Sequence, residues 1–282
     1  MNGPIPTGLS HCHSLRRVRI QGNLFNGTFP SALGSLPYVY YLDISSNNLN
    51  GNLDDFTWNM PSLQVLHLQS NHFRGSIPPS LLKTSKSLFT LDLSHNALSG
   101  SIPPEIGSLS ELNTFNVSGN AIEGEMNDGL LKCVKMVSLD LSNNSLSGQI
   151  PPRLANMKML STLDISCNKL LGSIPFELGG MESLVFVNVS FNHLSGKLPL
   201  NGAFMNINAS AIQGNEGLCG GTSLGPCTAS SSEATNANIS LKSRIIAILL
   251  LICLLLAMAC LCHLIWKLKQ VGFINASTHI VG

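Results

Sequence analysis

A six-residue motif returns at an almost fixed interval along this chain, and that periodicity constrains the fold more than any other property of the sequence. The segments VRIQGN, LDISSN, LHLQSN, LDLSHN, FNVSGN, LDLSNN, LDISCN and VNVSFN end at Asn23, Asn47, Asn71, Asn96, Asn120, Asn144, Asn168 and Asn192, spaced by 24, 24, 25, 24, 24, 24 and 24 residues. A globular core that is merely rich in leucine has no reason to keep phase over eight units. Periods of roughly 20 to 50 residues mark stacked repeats.

The physics of one unit explains its pattern. Leu139 and Leu141 alternate with Asp140 and Ser142, the period-two signal of a short strand with one face buried. Asn144 ends the strand, and its amide can bond backbone groups where the chain turns; the same position in neighbouring units predicts a ladder of asparagines. Gly148 permits an unusual backbone angle. Ile150 returns to the core, Pro151 and Pro152 hold an extended path, and Leu154 and Met157 bury the outer arc. One unit cannot bury its apolar face alone, whereas stacked units can. Eight strands at roughly 4.8 Å spacing predict a sheet about 35–40 Å long.

Charge narrows the function classes. The formal net charge is +1 and charged residues are 11% of the chain, low against a usual value of about 25%. Nothing in that balance points to nucleic acid as a partner.

The run LDLSHNALSGSIPPEIGSLSEL, Leu91 to Leu112, resembles the plant-specific leucine-rich repeat of receptor-like kinases and receptor-like proteins. Its LSGxIP signature recurs at Leu98–Pro103 and Leu146–Pro151, and more loosely at Phe73–Pro78, Leu170–Pro175 and Leu194–Pro199. The resemblance implies a twisted, right-handed leucine-rich-repeat solenoid with a concave parallel β-sheet and a convex side of short 3-10 segments and loops. Two units depart from the pattern: Gly51-Asn52-Leu53-Asp54 and Gly124-Glu125-Met126-Asn127 lack the Ile-Pro step, which puts their second short strand in doubt. At the C-terminal end, Gly214–Gly220 followed by Cys227 resembles the family's closing motif. It implies a cap stapled by a Cys219–Cys227 disulfide, and with it an oxidising compartment.

The resulting organisation is a partial repeat over 1–14, about eight repeats over 15–212, a cap over 213–228, a stalk over 229–243, a transmembrane helix over 244–266 and a cytoplasmic tail over 267–282. Ile245 to Trp266 is apolar except for His263, and a helix of that length crosses a bilayer core of roughly 30 Å. The flanking charges, Lys242 and Arg244 against Lys267 and Lys269, tie, so they do not orient it. N-glycosylation sequons at Asn26, Asn116, Asn143, Asn188, Asn208 and Asn238 favour an extracellular solenoid. Residues Asn2–Leu9 read as the second half of a repeat. No cysteine-paired N-terminal cap or signal peptide precedes them, so Met1 is expected to mark an incomplete or truncated gene model.

No kinase signature follows Trp266, and no Ser/His/Asp or paired-carboxylate arrangement stands out, so no catalytic residue and no cofactor is expected. Asp43, Asp92, Asp140 and Asp164 fall in register as part of the repeat itself. His11-Cys12-His13 could suggest a metal, but Cys12 and Cys133 occupy the same repeat position, where the family often has a buried cysteine; no metal site is expected. The concave positions of units four to seven, such as Thr90, Thr114, Ser138 and Thr162, are small and generic. Those of the first three units carry Arg17, Arg19, Gln21, Tyr41, His67 and Gln69, and Arg and Tyr are residue types that carry binding energy at interfaces. The expected function is a single-pass plasma-membrane receptor-like protein that binds a peptide or protein ligand there and signals through a co-receptor or adaptor kinase. The alternative is a fragment of a leucine-rich-repeat receptor serine/threonine kinase.

Overall fold

The computed structural model describes residues 1–221 and 224–227. The stalk, the spanning helix and the tail expected over 229–282, with the sequon at Asn238, lie outside the described residues. Among the described residues no helix is long and apolar enough to cross a membrane.

Each of the eight motifs forms a three-residue strand: Arg17–Arg19, Tyr41–Asp43, Val65–His67, Thr90–Asp92, Thr114–Asn116, Ser138–Asp140, Thr162–Asp164 and Phe186–Asn188. They pair in chain order into one parallel eight-stranded sheet. The register is the sequence period: Thr114 faces Ser138, Phe115 faces Leu139 and Asn116 faces Asp140. Parallel strands need a crossover, and here the remainder of each coil supplies it. The middle residue of every strand (Leu42, Leu66, Leu91, Phe115, Leu139, Leu163) is buried in one continuous core.

A second set of short strands lines the coil's next side. Seven of them run from Asn2–Pro4 to Ser145–Leu146, and three more are Leu171–Gly172, His193–Lys197 and Gly217–Cys219. Between the two groups only Gln149 and Leu171 bridge. The two units without an Ile-Pro step nevertheless form this strand, at Asn48–Asn52 and Ala121–Gly124. Pairing there uses main-chain groups that precede the missing step, so its loss costs no ladder bond. The shortest strands, two residues each, are Ser145–Leu146 and Leu171–Gly172, in units that carry the signature. Gly148 adopts the expected left-handed angle, with φ 76°.

The outer arc is built mostly of 3-10 turns, as expected, but Pro79–Thr84 and Phe176–Gly179 are α-helical. The first belongs to the single 25-residue unit, between Asn71 and Asn96. Its additional residue lengthens the arc into a six-residue helix opened by Pro79 at the first turn, where proline's missing N–H costs nothing.

The asparagine ladder holds the coils in phase. Asn144 Nδ2 donates to Val117 O at 3.0 Å in the previous coil and to Leu141 O and Ser142 O in its own. Its Oδ1 accepts from the backbone N–H of Ile122 at 2.9 Å. The pattern repeats from Asn47 to Asn192 and continues at Asn215, which donates to Val189 O and accepts from Leu194 N–H. The segment expected to be a cap therefore begins as one more rung. Cys133 is buried and its thiol donates to Ile106 O of the preceding coil at 3.4 Å; burial pushes that thiol up to about 11. Cys12 shares the repeat position but is exposed.

Candidate ligand-binding face

Alternation along the first strand turns Val18 into the core and leaves Arg17 and Arg19 exposed on the concave face. Parallel register then sets Arg17 beside Tyr41 and Val65, and Arg19 beside Asp43 and His67. The guanidinium carbons of Arg17 and Arg19 lie 5.1 Å and 4.6 Å from the centre of the Tyr41 ring. The Tyr41 and His67 rings are 6.1 Å apart and tilted. Both cations thus approach one aromatic ring, a contact worth roughly 0.5–1 kcal/mol each at exposed sites. Neither guanidinium forms an ion pair among the described residues.

Asp43 forms no ion pair with Arg19 among the described residues; its Oδ1 accepts from Ser45 N–H and from Ser45 Oγ at 2.7 Å. Asp92 and Asp164 brace Ser94 and Ser166 in the same way. The recurring aspartates therefore close their own turns. Farther along, Asn188 Nδ2 also donates to Asp164 Oδ2 at 3.0 Å, so the later coils present side chains that are already bonded to one another. The third coil differs. His67 Nδ1 and Gln69 Oε1 are shut off from solvent and meet no hydrogen-bond partner among the described residues.

Of the six residues expected on this face, the structure brings Arg17, Arg19, Tyr41 and His67 together. Gln21 is exposed and Gln69 half-buried at the strand ends. Sequence reasoning passed over Tyr40, whose ring lies 5.8 Å from the Arg17 guanidinium. The available signal was clustering: the chain's three tyrosines all fall within residues 38–41.

Elsewhere, Cys219 and Cys227 are joined, with Cα atoms 4.9 Å apart. The sequons at Asn26, Asn143 and Asn208 are exposed, whereas Asn116 and Asn188 are half-buried in concave strands. Asn116 Oδ1 accepts from Ser118 N–H, and Asn188 Oδ1 from Ser190 N–H. Among the described residues no group of three His, Cys, Asp or Glu could hold a metal.

Leucine-rich-repeat profiles match residues 13–73, 61–122, 135–157 and 159–181. Comparison with curated proteins gives no match. Among solved structures, the Arabidopsis receptor kinase HAESA, in complex with the peptide hormone IDA and the co-receptor SERK1, is 34% identical over 77% of this chain and 36% of its own, with a TM-score of 0.72. The plant peptide hormone receptor RGFR1, in complex with RGF2, is 32% identical over 77% of this chain and 38% of its own, with a TM-score of 0.66. A plant ice-binding protein is 30% identical over 82% of this chain and 73% of its own, with a TM-score of 0.72. The chain thus spans little more than a third of the two receptors it matches. With its periodic sheet, asparagine ladder and disulfide-closed last coil, this chain belongs to the leucine-rich-repeat family, in the form found in plant receptor ectodomains.

Proposed function

We propose that this solenoid is the extracellular part of a cell-surface receptor that binds a peptide on the concave face of its first three coils. The observation that carries the reading is the pair of guanidiniums, Arg17 and Arg19, at the Tyr41 ring with no carboxylate partner among the described residues. Two unpaired cations on one strand suit an anionic group on an extended ligand. HAESA and RGFR1 were solved with peptide hormones, which supports a peptide over a small molecule. Signalling then passes through a kinase-bearing partner, as the co-receptor in the HAESA complex suggests. The Cys219–Cys227 bond and the exposed sequons support an extracellular solenoid anchored by 244–266.

The test uses peptides selected on the full chain from a random twelve-residue library. Replacing Arg17, Arg19, Tyr41 and His67 together with Ala is expected to weaken their binding at least about 100-fold, since such anchors dominate interfaces. Replacing Thr90, Thr114, Ser138 and Thr162 is expected to change it less than about 3-fold. Equal losses in the two sets would rule out a face confined to the first coils. A second reading, that the chain is a segment of a receptor kinase, is supported by its likeness to HAESA, itself a receptor kinase. Transcript sequencing across both ends, reading for a kinase-coding exon, decides it.

A further inference from the structure

We infer that a side pocket along the edge of this face, built around Arg16, Tyr38, Tyr40 and Gln64, takes an acidic side chain of the ligand. The inference rests on the peptide reading above and adds a second point of recognition to it.

The residue preceding each concave strand forms a row along the sheet's edge. Main-chain bonds fix that row: Tyr40 N–H donates to Arg16 O at 2.9 Å, and Gln64 N–H donates to Tyr40 O at 2.9 Å. Pro61 and Ser62 complete a cavity of about 420 Å³. That is large enough for one side chain with a little water, near the lower end of ligand-pocket sizes. Tyr38 stands 59% exposed at its mouth. Arg17 joins the pocket to the concave face, because its guanidinium lies over both Tyr40 and Tyr41.

The chemistry of the lining selects a carboxylate. Arg16 has no ion-pair partner among the described residues. A guanidinium offers two parallel donors to a carboxylate, and a tyrosine hydroxyl or glutamine amide can add a third. A basic side chain would meet Arg16 unpaired and is rejected. The lining residues do not recur in later coils, where the same row reads Phe89, Asn113, Val137, Ser161 and Val185. Arg16, Tyr38 and Tyr40 line the pocket, and Arg17, Arg19 and Tyr41 lie next to it on the first two strands. The ligand is therefore expected to carry two negative groups, one on Arg17 and Arg19 and one in the pocket.

The same library-selected peptides test this on the full chain. Asp or Glu should be enriched at one position, and changing that residue to its amide should weaken binding about 10- to 50-fold. Arg16→Ala should impose a similar loss on the acidic peptide and almost none on its amide counterpart, the coupling that marks a direct pair. Arg16→Lys should restore part of the affinity, and all variants should melt within about 1 °C of the parent, since Arg16 is exposed. Equal losses for acidic and amide peptides on Arg16→Ala would overturn the pocket. So would selected peptides that need Arg17 and Arg19 but show no acidic preference. Peptides indifferent to Arg17 and Arg19 would instead overturn the peptide reading and the pocket with it.

Discussion

The side chain of Asn144, half-buried between neighbouring coils, makes four hydrogen bonds. Truncation leaves three carbonyls and the Ile122 N–H without these partners in a space only partly open to water. A buried group left unsatisfied costs about 1–3 kcal/mol. Asn144→Ala is therefore expected to lower stability by about 2–4 kcal/mol, read as a drop in the urea midpoint; a change below about 1 kcal/mol would show that the ladder is ornamental. The ladder was legible from spacing alone, because every rung occupies the same phase. The state of each rung's neighbours was not. Asp43 and Arg19 sit side by side in register, and only the folded structure shows that Asp43 bonds Ser45 while the two form no ion pair.

At the scale of the element, the coils are thin, and some backbones pass with no room for a side chain. A Cβ at Gly34 would collide with the carbonyl oxygen of Thr57 in the following coil and touch the Phe29 ring. Phe29 in turn stacks on Trp58 at 5.7 Å, and the Trp58 indole N–H donates to Leu53 O. Gly34→Ala is thus expected to cost about 2–3 kcal/mol through overpacking. Gly8→Ala, with open space around it, should stay within about 0.5 kcal/mol. Thermal melts of the two variants check the contrast, and comparable losses would contradict it. Alternation and the Pro-Pro step announced the strands and arcs in the sequence. The two strands at Asn48–Asn52 and Ala121–Gly124 were harder to read, because main-chain pairing does not require the side chains that usually advertise it.

For the whole molecule, stability is close to a sum of coils and their interfaces, so damage stays near its source. The Cys219–Cys227 bond closes a short loop on the last coil. Replacing both cysteines with Ser is expected to remove about 2–3 kcal/mol. The loss should appear as faster hydrogen exchange in His193–Lys197, which pairs with Gly217–Cys219, while Tyr41–Asp43 stays protected. Faster exchange in both places would mean that the solenoid opens as one unit. The sequence by itself determined the stacking: a 24-residue period can be buried in only one way, with like positions in like places, and this sets strand order, register and core. Only the tertiary structure decided the site, because the grouping of Arg17, Arg19, Tyr40 and Tyr41 with the edge pocket depends on rotamers and on which neighbouring carboxylates are already spoken for. Those are contacts between coils, and a pattern written along one chain does not contain them.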